Sequence, residues 1–130
     1  MPANVTITTK TGPVILNFRA GDTNTSGFRL AGAGAALRPI AAAPLTINGA
    51  NRAGSVGIVV ASGTTSLGNI TVTNAAIDGI QVNGGTADFL AGISVTATGG
   101  SANGLSIAGG TAHIDAGMIV TNAGSNGINI

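Results

Sequence analysis

Along the second half of the chain, apolar and polar residues alternate in short phrases, and the phrases recur. Gly57-Ile-Val-Val60, Gly79-Ile-Gln-Val82, Gly104-Leu-Ser-Ile107 and Gly127-Ile-Asn-Ile130 follow one another at intervals of 22, 25 and 23 residues. A second phrase keeps step as Leu45-Thr-Ile-Asn48, Ile70-Thr-Val-Thr73, Ile93-Ser-Val-Thr96 and Met118-Ile-Val-Thr121. Between them lies a third: Thr64-Thr-Ser-Leu67, Thr86-Ala-Asp-Phe89 and Thr111-Ala-His-Ile114. Alternation with a period of two marks strands that bury one side, so each phrase predicts a short strand and helices are disfavoured.

A strand that meets its own copy 22 to 25 residues later arrives in the same direction. A hairpin cannot do this, so the chain is expected to coil, with three phrases per turn building three parallel sheets about 4.8 Å per coil. Inward ladders then follow. Ile58, Ile80, Leu105 and Ile128 form one, with Val60, Val82, Ile107 and Ile130 beside it. Leu45, Ile70, Ile93 and Met118 form another, beside Ile47, Val72, Val95 and Val120, and the third face supplies Leu67, Phe89 and Ile114. Asp78-Gly79, Asn103-Gly104 and Asn126-Gly127 are dipeptides that tolerate a left-handed conformation, and are expected to turn the corners.

The Asx-Gly-Ile-x-Val/Ile phrase on this period resembles the right-handed β-helix repeat of the pectate-lyase-like superfold, over about residues 44–130. The resemblance implies an all-β, right-handed parallel β-helix (solenoid) of about three to four 22–25-residue coils. Lyases, tailspikes, adhesins and capsid-decorating proteins share that fold, so it carries no single function.

Residues 1–43 are less regular and are expected to be an irregular N-terminal cap or attachment arm ahead of the coils at 44–130. Val5-Thr-Ile7 and Val14-Ile-Leu-Asn-Phe-Arg19 read as strands, with Val14, Leu16 and Phe18 on one side and Ile15, Asn17 and Arg19 on the other. Gly21–Gly27 reads as a loop, and Ala31–Pro44 as a small-residue connector interrupted by Pro39 and Pro44.

Composition sharpens this picture. In 130 residues, 44% are hydrophobic but only 2% aromatic, beside 22 glycines, so the core must be made of flat layers of small aliphatic side chains. Mean hydropathy is +0.48. Only 7% of residues are charged, against about a quarter in ordinary soluble domains, so Thr, Ser, Asn and Gly must cover the surface. The charges segregate. Lys10, Arg19, Arg29, Arg38 and Arg52 against Asp22 make residues 1–52 net +4, and Asp78, Asp88 and Asp115 make the rest −3. The five cations are candidate contacts to an acidic protein surface. Without a basic run or an aromatic platform, a nucleic-acid partner is not expected. No apolar run nears the roughly 18 residues of a membrane helix, and the start of the chain lacks the pattern of a secretory leader.

Chemistry finds little to work with. There is no cysteine and a single histidine, which leaves no ligand set for a transition metal. Four Asp and no Glu depart from the calcium-and-base arrangement of the lyases that the repeat resembles. Asp88 and His113 are expected side by side on adjacent coils with Ser66 in the same column, but a flat ladder supplies no oxyanion hole, and an ordinary surface pair is expected. Neither catalytic residues nor cofactors are assigned.

A binding object remains. The favoured reading is a bacteriophage virion component, a capsid decoration (cement) protein or short spike assembled as a trimer on a capsid or other virion protein, made in the host cytoplasm. The C-terminal residues Ile128, Asn129 and Ile130 close the sequence in mid-coil without a polar cap, and this open edge is expected to be covered by a subunit or partner. The alternative is a segment of a secreted bacterial adhesin or autotransporter passenger at the cell surface. A third reading is ice binding, since Thr46, Thr71, Thr73, Thr96 and Thr121 project from one face and resemble the Thr-x-Thr surface of ice-binding β-solenoids.

Overall fold

A computed structural model describes residues 1–19, 25–96 and 99–130. The described residues hold fifteen strands and no helix. Five coils follow one another, each of three strands. The first is β1 (Thr6–Ile7), β2 (Val14–Asn17) and β3 (Ser26–Leu30); the second is β4 (Ala35–Leu37), β5 (Leu45–Asn48) and β6 (Val56–Val60). The third is β7 (Thr64–Leu67), β8 (Ile70–Thr73) and β9 (Asp78–Val82); the fourth is β10 (Thr86–Phe89), β11 (Ile93–Thr96) and β12 (Asn103–Ile107). The fifth is β13 (Thr111–Ile114), β14 (Met118–Thr121) and β15 (Ile128–Asn129).

Corresponding strands pair in parallel into three five-stranded sheets. Sheet A is β1-β4-β7-β10-β13, sheet B is β2-β5-β8-β11-β14, and sheet C is β3-β6-β9-β12-β15. The register aligns the repeated phrases residue for residue: Leu45 with Ile70, Ile70 with Ile93, Ile93 with Met118, and Ile58 with Ile80 and Leu105. The inward ladders of coils two to four are buried except at Ile107, which is half-buried; Ile58, Val60, Ile80, Val82, Leu105, Ile47, Ile70, Val95, Leu67 and Phe89 are inaccessible to solvent. Alternation works as the physics requires on β5, β8 and β11, where the apolar half of the strand leaves water and the polar half stays on the outer face.

The N-terminal region departs from expectation. Five coils are present where three to four were expected, because residues 1–43 also supply strands to all three sheets. Thr6 pairs with Ala36 and Ala36 with Ser66, steps of 30 residues; Val14 pairs with Leu45, a step of 31. Longer corners, Thr8–Pro13 and Arg38–Pro44, absorb the extra residues and hide the repeat from a search at 22 to 25. The connector Ala31–Pro44 contains β4, where Ala35 and Leu37 are fully buried. Of the loop expected at Gly21–Gly27, residues 21–24 lie outside the described residues, while Ser26 and Gly27 open β3.

The Asx-Gly dipeptides turn no corner. Gly79, Gly104 and Gly127 are absent from the left-handed region, which is occupied instead by residues such as Asn74 (φ 53°), Asn122 (φ 51°) and Gly85 (φ 76°). Packing explains the glycines. A Cβ at Gly57 would overlap Val72, one at Gly79 would overlap Val95, and one at Gly104 would overlap Val120. At Gly57, Gly79 and Gly104 the second apolar residue of the next coil's sheet B strand presses against bare sheet C backbone, and the glycine leaves that space open; Gly127 meets no such contact.

Candidate binding surfaces

Sheet B presents an uncharged outer face. Its burial alternates on β5, β8 and β11, leaving Thr46 and Asn48, Thr71 and Thr73, and Ser94 and Thr96 at the surface. Ile15 and Asn17 extend the two columns on coil one, and Ile119 and Thr121 extend them on coil five. None of these ten residues is charged. Ile15 and Ile119, at opposite ends of one column, are 62% and 61% exposed. In the other column Asn48 donates to Asn17 Oδ1 at 2.9 Å, and the Thr96 and Thr121 hydroxyls lie 3.0 Å apart. The five Thr singled out in the sequence share this face, in two columns: Thr46 with Thr71, and Thr73 with Thr96 and Thr121. Among the described residues of sheet B, β8 alone carries a complete Thr-x-Thr pair.

The cations do not form one patch. Lys10 and Arg38 stand on the corners leading into β2 and β5, while Arg19 and Arg52 stand on the corners that leave those two strands. Four charges thus bracket the first two strands of sheet B. Arg29 is on the outer side of β3 in sheet C, next to Val59, which is nearly buried although it points outward. Arg52 is half-buried and the other four are exposed.

On sheet A the expected column is present. Ser66 pairs with Asp88 and Asp88 with His113, and His113 Nδ1 lies 3.0 Å from Asp88 Oδ1. The order matters chemically. In a nucleophile-base-acid set the histidine stands between the other two; here Asp88 occupies the middle, and His113 is two coils from Ser66. Among the described residues no group of three His, Cys, Asp or Glu is placed to hold a metal, and no helix is long and apolar enough to cross a membrane.

One polar feature was missed. Asp78, 4% exposed, accepts hydrogen bonds from Gln81 Nε2 at 2.7 Å, from Asn103 Nδ2 at 2.7 Å and from the Asn103 backbone amide at 3.1 Å. Asn126 continues the ladder, donating to Asn103 Oδ1 from both its backbone and its side chain at 3.3 Å. The signal lay in the repeat itself: Asp78, Asn103 and Asn126 occupy one position of the phrase, and like polar groups stacked one coil apart can bond to each other.

The C-terminal edge is open in this chain. β15 pairs with β12 through Leu105 with Ile128 and Ser106 with Asn129, and among the described residues its other side meets no strand. Ile130 is 94% exposed. Compared with known protein families, curated proteins and solved structures, the chain matches none of them.

Proposed function

We propose that this chain is a non-enzymatic structural protein on a right-handed β-helix of the pectate-lyase-like kind, which works by laying a flat face against protein. The right hand follows from the chirality of parallel crossovers. The observation that carries the reading is the outer face of sheet B: ten aligned positions without a charge, edged by two exposed isoleucines. Interface centres are depleted of charge because a neutral hydroxyl or amide loses less on leaving water than an ion does. The favoured form is a phage capsid decoration protein or short spike, in which copies of this face meet in a trimer and the bracketing cations reach an acidic lattice.

Light scattering of the purified chain over a range of concentrations tests it. Three copies of a 12.4 kDa chain are expected, and Thr71→Lys with Thr73→Lys should return the species to monomer without loss of fold by circular dichroism. A chain that stays monomeric throughout overturns the trimer, and a trimer indifferent to those lysines overturns the choice of face. The aligned column Thr73, Thr96 and Thr121 favours ice binding as a second reading; thermal hysteresis of the monomeric fraction is its measurement.

A further inference from the structure

Four Asn-Gly dipeptides lie in the chain, at Asn48-Gly49, Asn83-Gly84, Asn103-Gly104 and Asn126-Gly127. Such a pair can modify itself. The glycine amide nitrogen, once deprotonated, attacks the asparagine Cγ; the bond from Cγ to the side-chain nitrogen breaks, ammonia leaves, and a five-membered imide forms. Water then opens either carbonyl of the imide, giving aspartate or isoaspartate, with no oxidant or reductant involved. The attack requires that the glycine nitrogen be free of a hydrogen bond and that the asparagine side chain be able to swing onto it.

The fold treats the four pairs differently. Gly49 N donates to Thr73 O at 2.9 Å, while the Asn48 side chain is held three ways: it donates to Asn17 Oδ1 at 2.9 Å and accepts from the Ala50 amide and from Asn74 Nδ2, each at 3.0 Å. Gly104 N donates to Asn126 O at 3.0 Å, and Asn103 is tied to Asp78 at 2.7 Å. Asn126 is held by its 3.3 Å contacts to Asn103 alone, on the exposed fifth coil. Asn83 stands apart. It is exposed on the corner between β9 and β10, its side chain has no hydrogen bond, and the Gly84 amide donates to nothing among the described residues.

We propose that Asn83 is an intrinsic deamidation site and that the side-chain ladders shield Asn48 and Asn103 from the same reaction. The protected pairs are the ones the fold cannot lose. A carboxylate at 103 would face the carboxylate of Asp78 along the ladder, whereas a carboxylate at 83 points into water. An isoaspartate at 83 lengthens the backbone at a corner whose carbonyl lies 2.9 Å from where a Cβ on Gly109 would stand, so ageing adds one negative charge and loosens the stacking of coils three and four at that corner.

Peptide mapping by mass spectrometry of the folded chain, aged in mildly alkaline buffer, tests the assignment, with the same chain aged in urea as reference. All four sites should convert in urea. In the folded chain Asn83 should convert at close to its urea rate and Asn126 more slowly. Asn48 and Asn103 should be at least about 100-fold slower than in urea, the factor that about 2.8 kcal/mol of local opening imposes. Asn83→Gln should remove the first acidic species seen on isoelectric focusing. Conversion of Asn103 or Asn48 at the pace of Asn83, or an Asn83 that is as slow as they are, overturns the proposal.

Discussion

Coils one and two differ from coils three and four in a way that separates what a parallel solenoid needs from what it tolerates. Both pairs stack strands in register on the same three sheets. The earlier pair does so across steps of 30 and 31 residues, with long corners that carry most of the cations; the later pair uses 22 to 25 and short corners. Corner length is therefore free, and the inward ladders are not. The later coils also fill their centre better: Phe89 is inaccessible to solvent, while Phe28 in coil one is only partly buried.

Six substitutions sharpen the contrast, each read as a shift in the urea midpoint. Phe89→Ala empties the centre of coil four and should cost about 4 kcal/mol. Phe28→Ala, beside water already, should cost about 2 kcal/mol; equal losses would mean that the two ends are packed alike. Gly79→Ala drives a methyl into Val95 and towards the Gly104 carbonyl oxygen at 2.7 Å, and about 3 kcal/mol is expected. Gly100→Ala, with nothing within 4 Å, should stay within about 0.5 kcal/mol. Asp78→Ala leaves the Gln81 and Asn103 donors unpaired at a partly buried site, for about 2 kcal/mol. Its counterpart in coil two is Val56, so the polar ladder belongs to the later coils alone. His113→Ala should cost less than about 0.5 kcal/mol, because its pair with Asp88 is screened by water. A larger loss there would assign the sheet A column a structural role that its exposure does not suggest.

What the sequence made legible follows the same division. Where corners are short, the alternating phrases fall at a near-constant spacing, and the ladders of Ile58, Ile80 and Leu105 could be placed without coordinates. The strand β4 was hidden because Ala35-Ala-Leu37 does not alternate; alanines pack inward where neighbouring coils leave little room, and a short apolar run says nothing of direction. The Asx-Gly pairs were visible, but their cause was misassigned, since a glycine forced by a valine pressing on it looks in sequence like a glycine forced by a turn. In sequence Asp78 reads only as a charge and as half of a turn dipeptide, because its burial depends on Gln81 and Asn103 arriving from the same and the next coil. Alternation alone places Thr46, Thr71, Thr73, Thr96 and Thr121 on one face of sheet B. Its framing by Lys10, Arg38, Arg19 and Arg52 needed the corners to be located.

The indifference of the register to corner length bears on how such a chain can change over generations. The corner Arg38–Pro44 exceeds its counterpart Gly68–Asn69 by five residues, yet β4 and β5 pair onward in the same register as β7 and β8. Insertions and deletions at these corners are thus nearly invisible to the core, and a new recognition loop can be grafted there, or a whole coil duplicated, without renegotiating any inward contact. Variation in length should accumulate at the corners while the ladders keep their spacing.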